Sequence, residues 1–440
     1  MQPPLLAHQG RGAVIPLAWR EIEPLALGEL ADAPADGVVR RVHDDSRDAR
    51  PGDLFVALNT GVRFVDDARA AGAATLVPHD QEAALAALAS LVRGRSDAQV
   101  VAVVGSVGKT TTKDVLAALC AAVTPTVAAD ASRNNELGLP LTVLALEPET
   151  RVLVTEMGMR GLGQIAELCA IARPTLALVT SIGPEHLELV GSVEDVARAN
   201  AEAIEALPAG GTAVVPAGEA LLEPYLRDDV LVRRFDPGSV EREGDVWRFA
   251  VGGQEVRLPL PFAQRHLAEN ALAALTAYDA LGLPLERAAE GAQAIRLSRW
   301  RGEVRELPGG GLVVNDAYNA NPISMRAALL DLVERAGDRR RVAVLGEMAE
   351  LGEESARYHA EIAALLRDLG IEVVVAVGEP ARTYLDGVPA GAVVADAASF
   401  AEALELLRPG DAILVKASRA VGLEGIPALI EKHSEAWHES

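Results

Sequence analysis

The sequence is poor in cysteine, in aromatic residues and in basic charge. Cys120 and Cys169 are the only cysteines in 440 residues. They show no metal-ligand spacing, and so few thiols exclude a disulfide-stapled scaffold. They fit a reducing, cytoplasmic compartment, with both as small buried apolar groups. Lys and Arg number 41 against 63 Asp and Glu, a formal charge of −22. That balance argues against general affinity for nucleic acid or anionic membrane, while leaving room for a local basic pocket that takes a phosphorylated ligand. No apolar run approaches ~18 residues, so no membrane span is expected. The opening segment MQPPLLAHQGRG has no apolar h-region, so no signal peptide is expected. What is present, 50% hydrophobic and 24% charged residues, describes a soluble globular protein of two or three domains.

Short strands are expected at Val38 to Val42 and at Leu54 to Leu58, around the polar turn DDSRDARPGD. A helix follows from Gln81 to Leu91, and Gly94 to Asp97 reads as a linker. Gln99 to Val104 is an apolar, β-branched run ending at a glycine turn, and a helix is expected from Lys109 to Cys120. Further apolar runs at Val152 to Thr155, Leu176 to Thr180 and Thr212 to Val215 alternate with alanine-rich helical stretches. This alternation predicts a parallel sheet covered by helices. A second such series begins near Leu312, with strands expected at Leu312 to Val314, Val342 to Leu345, Val373 to Val377 and Ala412 to Val415. Helices are expected between them at Met325 to Ala336 and Ala356 to Leu369.

The strongest local signal is Gly105-Ser106-Val107-Gly108-Lys109-Thr110-Thr111. Glycines let the backbone curl so that its N–H groups face a phosphate, and the following helix N-terminus adds a favourable dipole. Lys109 can reach terminal phosphates, and the Thr110 hydroxyl can meet Mg²⁺. Val103 stands where a strict P-loop has glycine, so this is the shorter GxxGKT form. Glu156 ends the run VLVTE. A carboxylate at the carboxyl end of a parallel strand faces the ligand crevice and offers Mg²⁺ an oxygen. A lone histidine is more often structural than a ligand, but His186 follows another strand end, which makes the two readings about even. Asn134-Asn135 reads alone as a polar turn before a helix. His266 and Asn270 share a helix face. The run Asn315-Asp316-Ala317-Tyr318-Asn319-Ala320-Asn321-Pro322, polar after an apolar strand, fits a ligand-binding loop or an Asx-rich turn.

In order along the chain, nine segments together resemble the Mur ligase family. They are DSRDARPGDLFVAL, GSVGKTTTKD, NNELGLPLTVL, TEMGMRGLGQIAEL, IGPEHLELVGSVEDVA, HLAENALAAL, NDAYNANPISMRAAL, VLGEMAELGEES and KASRAVGLEGI. The resemblance covers nearly the whole chain. It implies an α/β fold of three domains: a small N-terminal UDP-sugar domain over 1–96, a central parallel-sheet P-loop-type ATPase domain over 97–304, and a C-terminal Rossmann-like doubly wound domain over 305–440. It also implies an ATP-dependent amide ligase, cytoplasmic and monomeric, of peptidoglycan precursor synthesis. Its substrates would be UDP-N-acetylmuramoyl-tripeptide and D-alanyl-D-alanine, joined through an acyl phosphate. The family pattern leaves two further readings: a superfamily ligase that adds a single amino acid, of the folylpolyglutamate type for example, and a nucleotide-binding scaffold without turnover.

Carried over residue by residue, the resemblance places ATP on Gly105, Ser106, Val107, Gly108, Lys109, Thr110 and Thr111. Asn270 would contact adenine, and Arg301 and Asp316 would contact the nucleotide phosphate and ribose. Thr110 and Glu156 would hold one Mg²⁺, and His186 would help to hold a second. Lys109, Glu156, His186 and Arg301 would be catalytic. Ser46, Arg47, Asn134, Asn135, Tyr318, Asn319, Asn321, Ser418 and Arg419 would meet substrate. Two departures stand out. Asn200 occupies the place of a lysine that the family carbamoylates for the second Mg²⁺, and it is expected to serve that metal through water or its own oxygen, with activity retained. The N-terminal loop TGVRFVDD lacks the family's Asp-Gly-His element.

Overall fold

The structure, a computed structural model, describes residues 14–438. The opening segment MQPPLLAHQGRG lies outside them. Three α/β domains follow one another, and the chain gathers into two compact units. The first unit takes in 14–181, 197–263 and 267–296, and the second takes in 182–196, 264–266 and 297–438.

The first unit opens with a four-stranded sheet of β1 (Gly28–Ala31), β2 (Val42–His43), β3 (Leu54–Val56) and β4 (Ala74–Pro78), in the order β1-β4-β3-β2. The single strand expected at Val38 to Val42 is divided. Val38–Val39 pairs with Leu17–Ala18, whereas Val42–His43 pairs with Leu54–Phe55. The break falls at Arg40, whose N–H goes to the Gly52 carbonyl at 2.9 Å. Helix α1 (Gln81–Arg93) starts where Asp80 accepts the Ala83 N–H at 3.0 Å. A side-chain oxygen at this position satisfies a donor that the first turn leaves without a partner.

The central sheet is parallel. Its strands are β5 (Gln99–Val104), β6 (Thr126–Ala128), β7 (Val152–Glu156), β8 (Leu176–Val179), β9 (Thr212–Pro216) and β10 (Leu231–Phe235). Their order is β10-β9-β8-β5-β7-β6. Val100 to Val104 are all fully buried, as expected of a strand covered on both faces. Helices α2 (Lys109–Ala121), α3 (Gly138–Leu144), α4 (Gln164–Ala172) and α5 (Val193–Glu205) fall between these strands in sequence. The chain leaves β5 for one side of the sheet and later crosses to the other. The carboxyl ends of β5, β7 and β8 therefore meet at a topological switch point, the usual place for a ligand crevice. An antiparallel sheet of β11 (Glu241–Glu243), β12 (Val246–Val251) and β13 (Gln254–Leu258) was not expected from sequence. Helix α6 (Arg265–Ala280) follows.

The second unit has its own sheet, formed by β14 (Glu303–Leu307), β15 (Gly311–Asn315), β16 (Arg341–Gly346), β17 (Val373–Val377), β18 (Ala390–Val394) and β19 (Ala412–Lys416). The order is β14-β15-β19-β16-β17-β18. All pairs are parallel except β14 with β15, so the series begins one strand before Leu312. Its core is aliphatic, with Val313, Val342, Val344, Val373, Val375 and Ile413 all buried. Helix α7 (Pro322–Ala336) begins at an Asn321 cap with proline in its first turn, and α8 is Ser355–Asp368. Among the described residues no helix is long and apolar enough to cross a membrane.

Candidate active site

The phosphate loop occupies the carboxyl end of β5. Gly105 has φ +125° and Gly108 has φ +87°, conformations that glycine adopts without strain. Neither has room for a side chain. A Cβ on Gly105 would lie 2.3 Å from Thr180 Oγ1, and one on Gly108 would lie 2.2 Å from Asn270 Oδ1. The loop is tied down from several directions. Asn200 Oδ1, on α5, accepts the Gly105 N–H at 2.6 Å. Ser181 accepts the Ser106 N–H at 2.8 Å through its carbonyl and the Val107 N–H at 3.0 Å through its hydroxyl. Lys109 Nζ donates to the Gly105 carbonyl. Asn200 is 2% exposed, and its oxygen, expected on a metal, is engaged by the loop itself.

Beside the loop, Glu156 is buried at the end of β7. Its Oε1 accepts the Asn134 amide at 2.8 Å, while its Oε2 is buried without a hydrogen-bond partner. A buried carboxylate oxygen left in this state is costly unless something cationic meets it. Thr110, also buried, has its hydroxyl 3.3 Å from Ser132 Oγ. Hydroxyl and carboxylate together form a hard oxygen donor set that fits Mg²⁺. The segment bearing Ser132 and Asn134 is fixed by Lys113, which sequence reasoning passed over. Lys113 is 2% exposed. Its Nζ donates to the carbonyls of Ala129 and Ala131 at 2.8 Å each and pairs with Asp114 at 2.7 Å. No local spacing in KTTTKD marks it, because its partners are carbonyls of a distant segment.

A cleft of about 710 Å³ in the same unit is lined by Ser46, Arg47, Asn59, Thr60, Arg133 and Asn135, among others. Three of the expected substrate residues thus share one cavity. Arg47 is bound to Asp45, and those hydrogen bonds hold the Asp45 carboxyl down to about 2. Asn135 accepts the Gly138 N–H at 2.9 Å.

The second unit gathers most of the remaining candidates at the carboxyl edge of its sheet. Lys416 is 2% exposed and donates to Asp316 Oδ2 at 2.6 Å and to the Asn319 carbonyl at 2.8 Å. Arg301 lies over the Tyr318 ring at 4.0 Å, and Arg419 lies over Trp300 at 4.3 Å. Two candidates have structural employment. Asn321 Oδ1 caps α7 through the Ser324 N–H at 2.9 Å, and the Ser418 hydroxyl accepts the Ala349 N–H at 2.8 Å. His186, at φ +54°, pairs through Nδ1 with Glu350, and its Nε2 lies 3.4 Å from Glu185. Burial pushes the imidazole down, but bonding and charge from Glu185 and Glu350 outweigh it and hold the group above its ordinary value. For His186 to ligate a metal, it must first lose the proton those carboxylates favour. His266, on α6, is pushed down to about 4 by burial. Among the described residues no group of three or more His, Cys, Asp or Glu side chains is placed to hold a metal.

Residues 103–278 match the Mur ligase middle domain, and residues 300–419 match the Mur ligase glutamate ligase domain. The UDP-N-acetylmuramoyl-tripeptide–D-alanyl-D-alanine ligase of Escherichia coli is 32% identical, across 96% of this chain and 99% of the relative. The Synechocystis protein of the same name is also 32% identical, across 88% and 91%. Among solved structures, MurF from Acinetobacter baumannii superposes with a TM-score of 0.82 at 27% identity, covering 96% of this chain and all of that one. MurF from Thermotoga maritima, solved with ADP, gives 0.78 at 27% identity, covering 90% and 98%. With this fold, this phosphate loop and these relatives, the chain belongs to the Mur ligase family, in its MurF branch.

Proposed function

We propose that this chain joins D-alanyl-D-alanine to UDP-N-acetylmuramoyl-tripeptide at the expense of ATP, in peptidoglycan precursor synthesis. One observation supports the reading most directly. The loop bearing Asn134 touches the buried Glu156 carboxylate, next to the phosphate loop, and its adjoining residues line the 710 Å³ cleft. Nucleotide chemistry and a second substrate cavity are therefore joined by a few residues.

In the first step an oxygen of the tripeptide's terminal carboxylate attacks the γ-phosphorus of ATP. The bond to the β,γ-bridging oxygen breaks, giving acyl phosphate and ADP. The amine of D-alanyl-D-alanine then attacks the acyl carbon, loses a proton, and expels inorganic phosphate. The first step brings two anions together. Backbone N–H groups from Gly108 to Thr111 and the Lys109 ammonium are assigned to offset that repulsion and the charge on the transferring group. Thr110 and Glu156 would hold Mg²⁺, which supplies further neutralisation of phosphate charge. Asn270, packed on Gly108, is assigned to the nucleotide. Ser46, Arg47, Asn134 and Asn135 are assigned to the nucleotide-sugar substrate. From the second unit, His186, Arg301 and Asp316 are assigned to the ATP step, and Tyr318, Asn319, Asn321, Ser418 and Arg419 to substrate.

The same reading takes domain boundaries at 96/97 and 304/305. It has the enzyme act as a cytoplasmic monomer without a nucleic-acid partner. Incubation with UDP-N-acetylmuramoyl-tripeptide, ATP and D-alanyl-D-alanine should yield the pentapeptide by mass, with equimolar ADP and phosphate. Lys109→Ala should abolish phosphate release. Ligation of a single amino acid, or phosphate release indifferent to D-alanyl-D-alanine, would overturn the reading.

A further inference from the structure

The cleft of the first unit has an electrostatic problem. Asp44, Asp45 and Asp67 line it, in a chain of net charge −22, yet the proposed substrate is an anion. Two arginines line the same cavity, Arg47 and Arg133. Arg47 is committed. Its Nε donates to both oxygens of Asp45, at 2.8 and 3.0 Å, and its backbone N–H donates to Asp45 Oδ1 at 3.0 Å. Arg133 is held differently. Among the described residues its guanidinium has one polar contact, Nη2 to Asp44 Oδ1 at 3.5 Å, the outer limit of a hydrogen bond.

The backbone beneath that loosely held head is fixed. The Arg133 N–H donates to the Asp130 carbonyl at 3.2 Å, and the Asn134 N–H donates to Ser132 at 2.9 Å. Lys113 secures the carbonyls just upstream. Downstream, Gly138 packs so closely that a Cβ there would lie 2.7 Å from Arg133 Cα. A preordered backbone carrying an under-used guanidinium suits bidentate capture of an anion, because little ordering entropy is lost on binding.

Direction narrows the choice of anion. Asn134 reaches Glu156 and the phosphate-transfer chemistry, whereas Arg133 reaches Asp44. Arg133 therefore serves the part of the substrate away from the carboxylate being activated. We propose that Arg133 binds the diphosphate of the nucleotide-sugar, exchanging its weak contact with Asp44 for two phosphate oxygens. This rests on the nucleotide-sugar reading given above.

The test is calorimetric titration of the full-length protein with UDP and, separately, with uridine, comparing wild type, Arg133→Gln and Arg133→Lys. Replacing charge-assisted bonds by a neutral amide should weaken UDP binding by about 10- to 150-fold. Uridine binding should be unchanged. Lysine should recover part of the loss, since it keeps the charge but not the fork. In turnover, KM for the nucleotide-sugar should rise while KM for ATP holds. Wild-type UDP affinity in Arg133→Gln would overturn the proposal. Equal weakening of UDP and uridine would also overturn it, by revealing a role in loop shape alone. If wild type binds neither ligand, the nucleotide-sugar reading itself falls, and this inference with it.

Discussion

Asn200→Ala separates two views of a position where the family pattern has a lysine. The Asn200 carboxamide is buried, and its oxygen accepts the Gly105 N–H at 2.6 Å. Truncation leaves that N–H without its protein acceptor in the turn that must present its other N–H groups to phosphate. An unsatisfied buried donor costs about 1–3 kcal/mol. If that cost falls on the phosphate-binding shape of the loop, ATP affinity drops by about 5- to 150-fold, at 1.4 kcal/mol per decade. Calorimetric titration of ATP at saturating and at limiting Mg²⁺ reads this directly. The loss should be similar at both, because the strut acts on the loop and not on the ion. Asn200→Asp should keep an acceptor at the same place yet bind ATP poorly, since its charge opposes the phosphates. Wild-type ATP affinity in Asn200→Ala would refute the reasoning. So would intact affinity with a changed Mg²⁺ requirement, which would return the residue to the metal.

Gly108→Ala should fold but bind ATP at least about tenfold more weakly, because φ +87° disfavours alanine and the new Cβ would lie 2.2 Å from Asn270 Oδ1; wild-type affinity would contradict this. Glu156→Gln should raise the half-saturating Mg²⁺ concentration for turnover at least about tenfold. In EDTA the same variant should be more stable, by about 1–3 kcal/mol, as a buried unpaired carboxylate oxygen is neutralised; a lower melting temperature would count against the assigned geometry. Lys416→Met should lower the melting temperature of the second unit, with a cost of up to about 3–5 kcal/mol, since Asp316 loses its buried partner; an unchanged melt would show the pair to be dispensable. Burial pushes both thiols, Cys120 and Cys169, up to about 12. The folded state then keeps protons that the unfolded chain releases above about 9, so stability should fall as pH rises beyond that value. A Cys120→Ala/Cys169→Ala variant should flatten the alkaline decline, and native protein should resist thiol-reactive dye until unfolded.

Legibility in the sequence followed burial. Gln99–Val104 and Val373–Val377 are continuous apolar runs, and their expected bounds agree with the structure. Glu303–Leu307 carries only one fully buried residue and lies at a sheet edge, so no apolar run betrayed it. Val246–Val251 does alternate between buried and partly exposed positions, but the parallel pattern around it drew attention away from an antiparallel ribbon. In the site, glycine chemistry made the phosphate loop plain, and a strand end marked Glu156. Lys113, Arg133 and Glu350 carried no such signal. Each works through tertiary contacts, to the 129–131 carbonyls, to Asp44 and to His186. No local spacing encodes those partners.

The Lys113 clamp has a consequence for how this protein can change. Its ammonium springs from the helix that opens at the phosphate loop and grips the carbonyls that lead to Arg133 and Asn134. Nucleotide loop and substrate loop thus share one anchor, deep enough that solvent cannot replace either side. Insertions or deletions in the substrate loop will be felt as altered ATP affinity, and the two specificities will drift together through evolution, not one at a time.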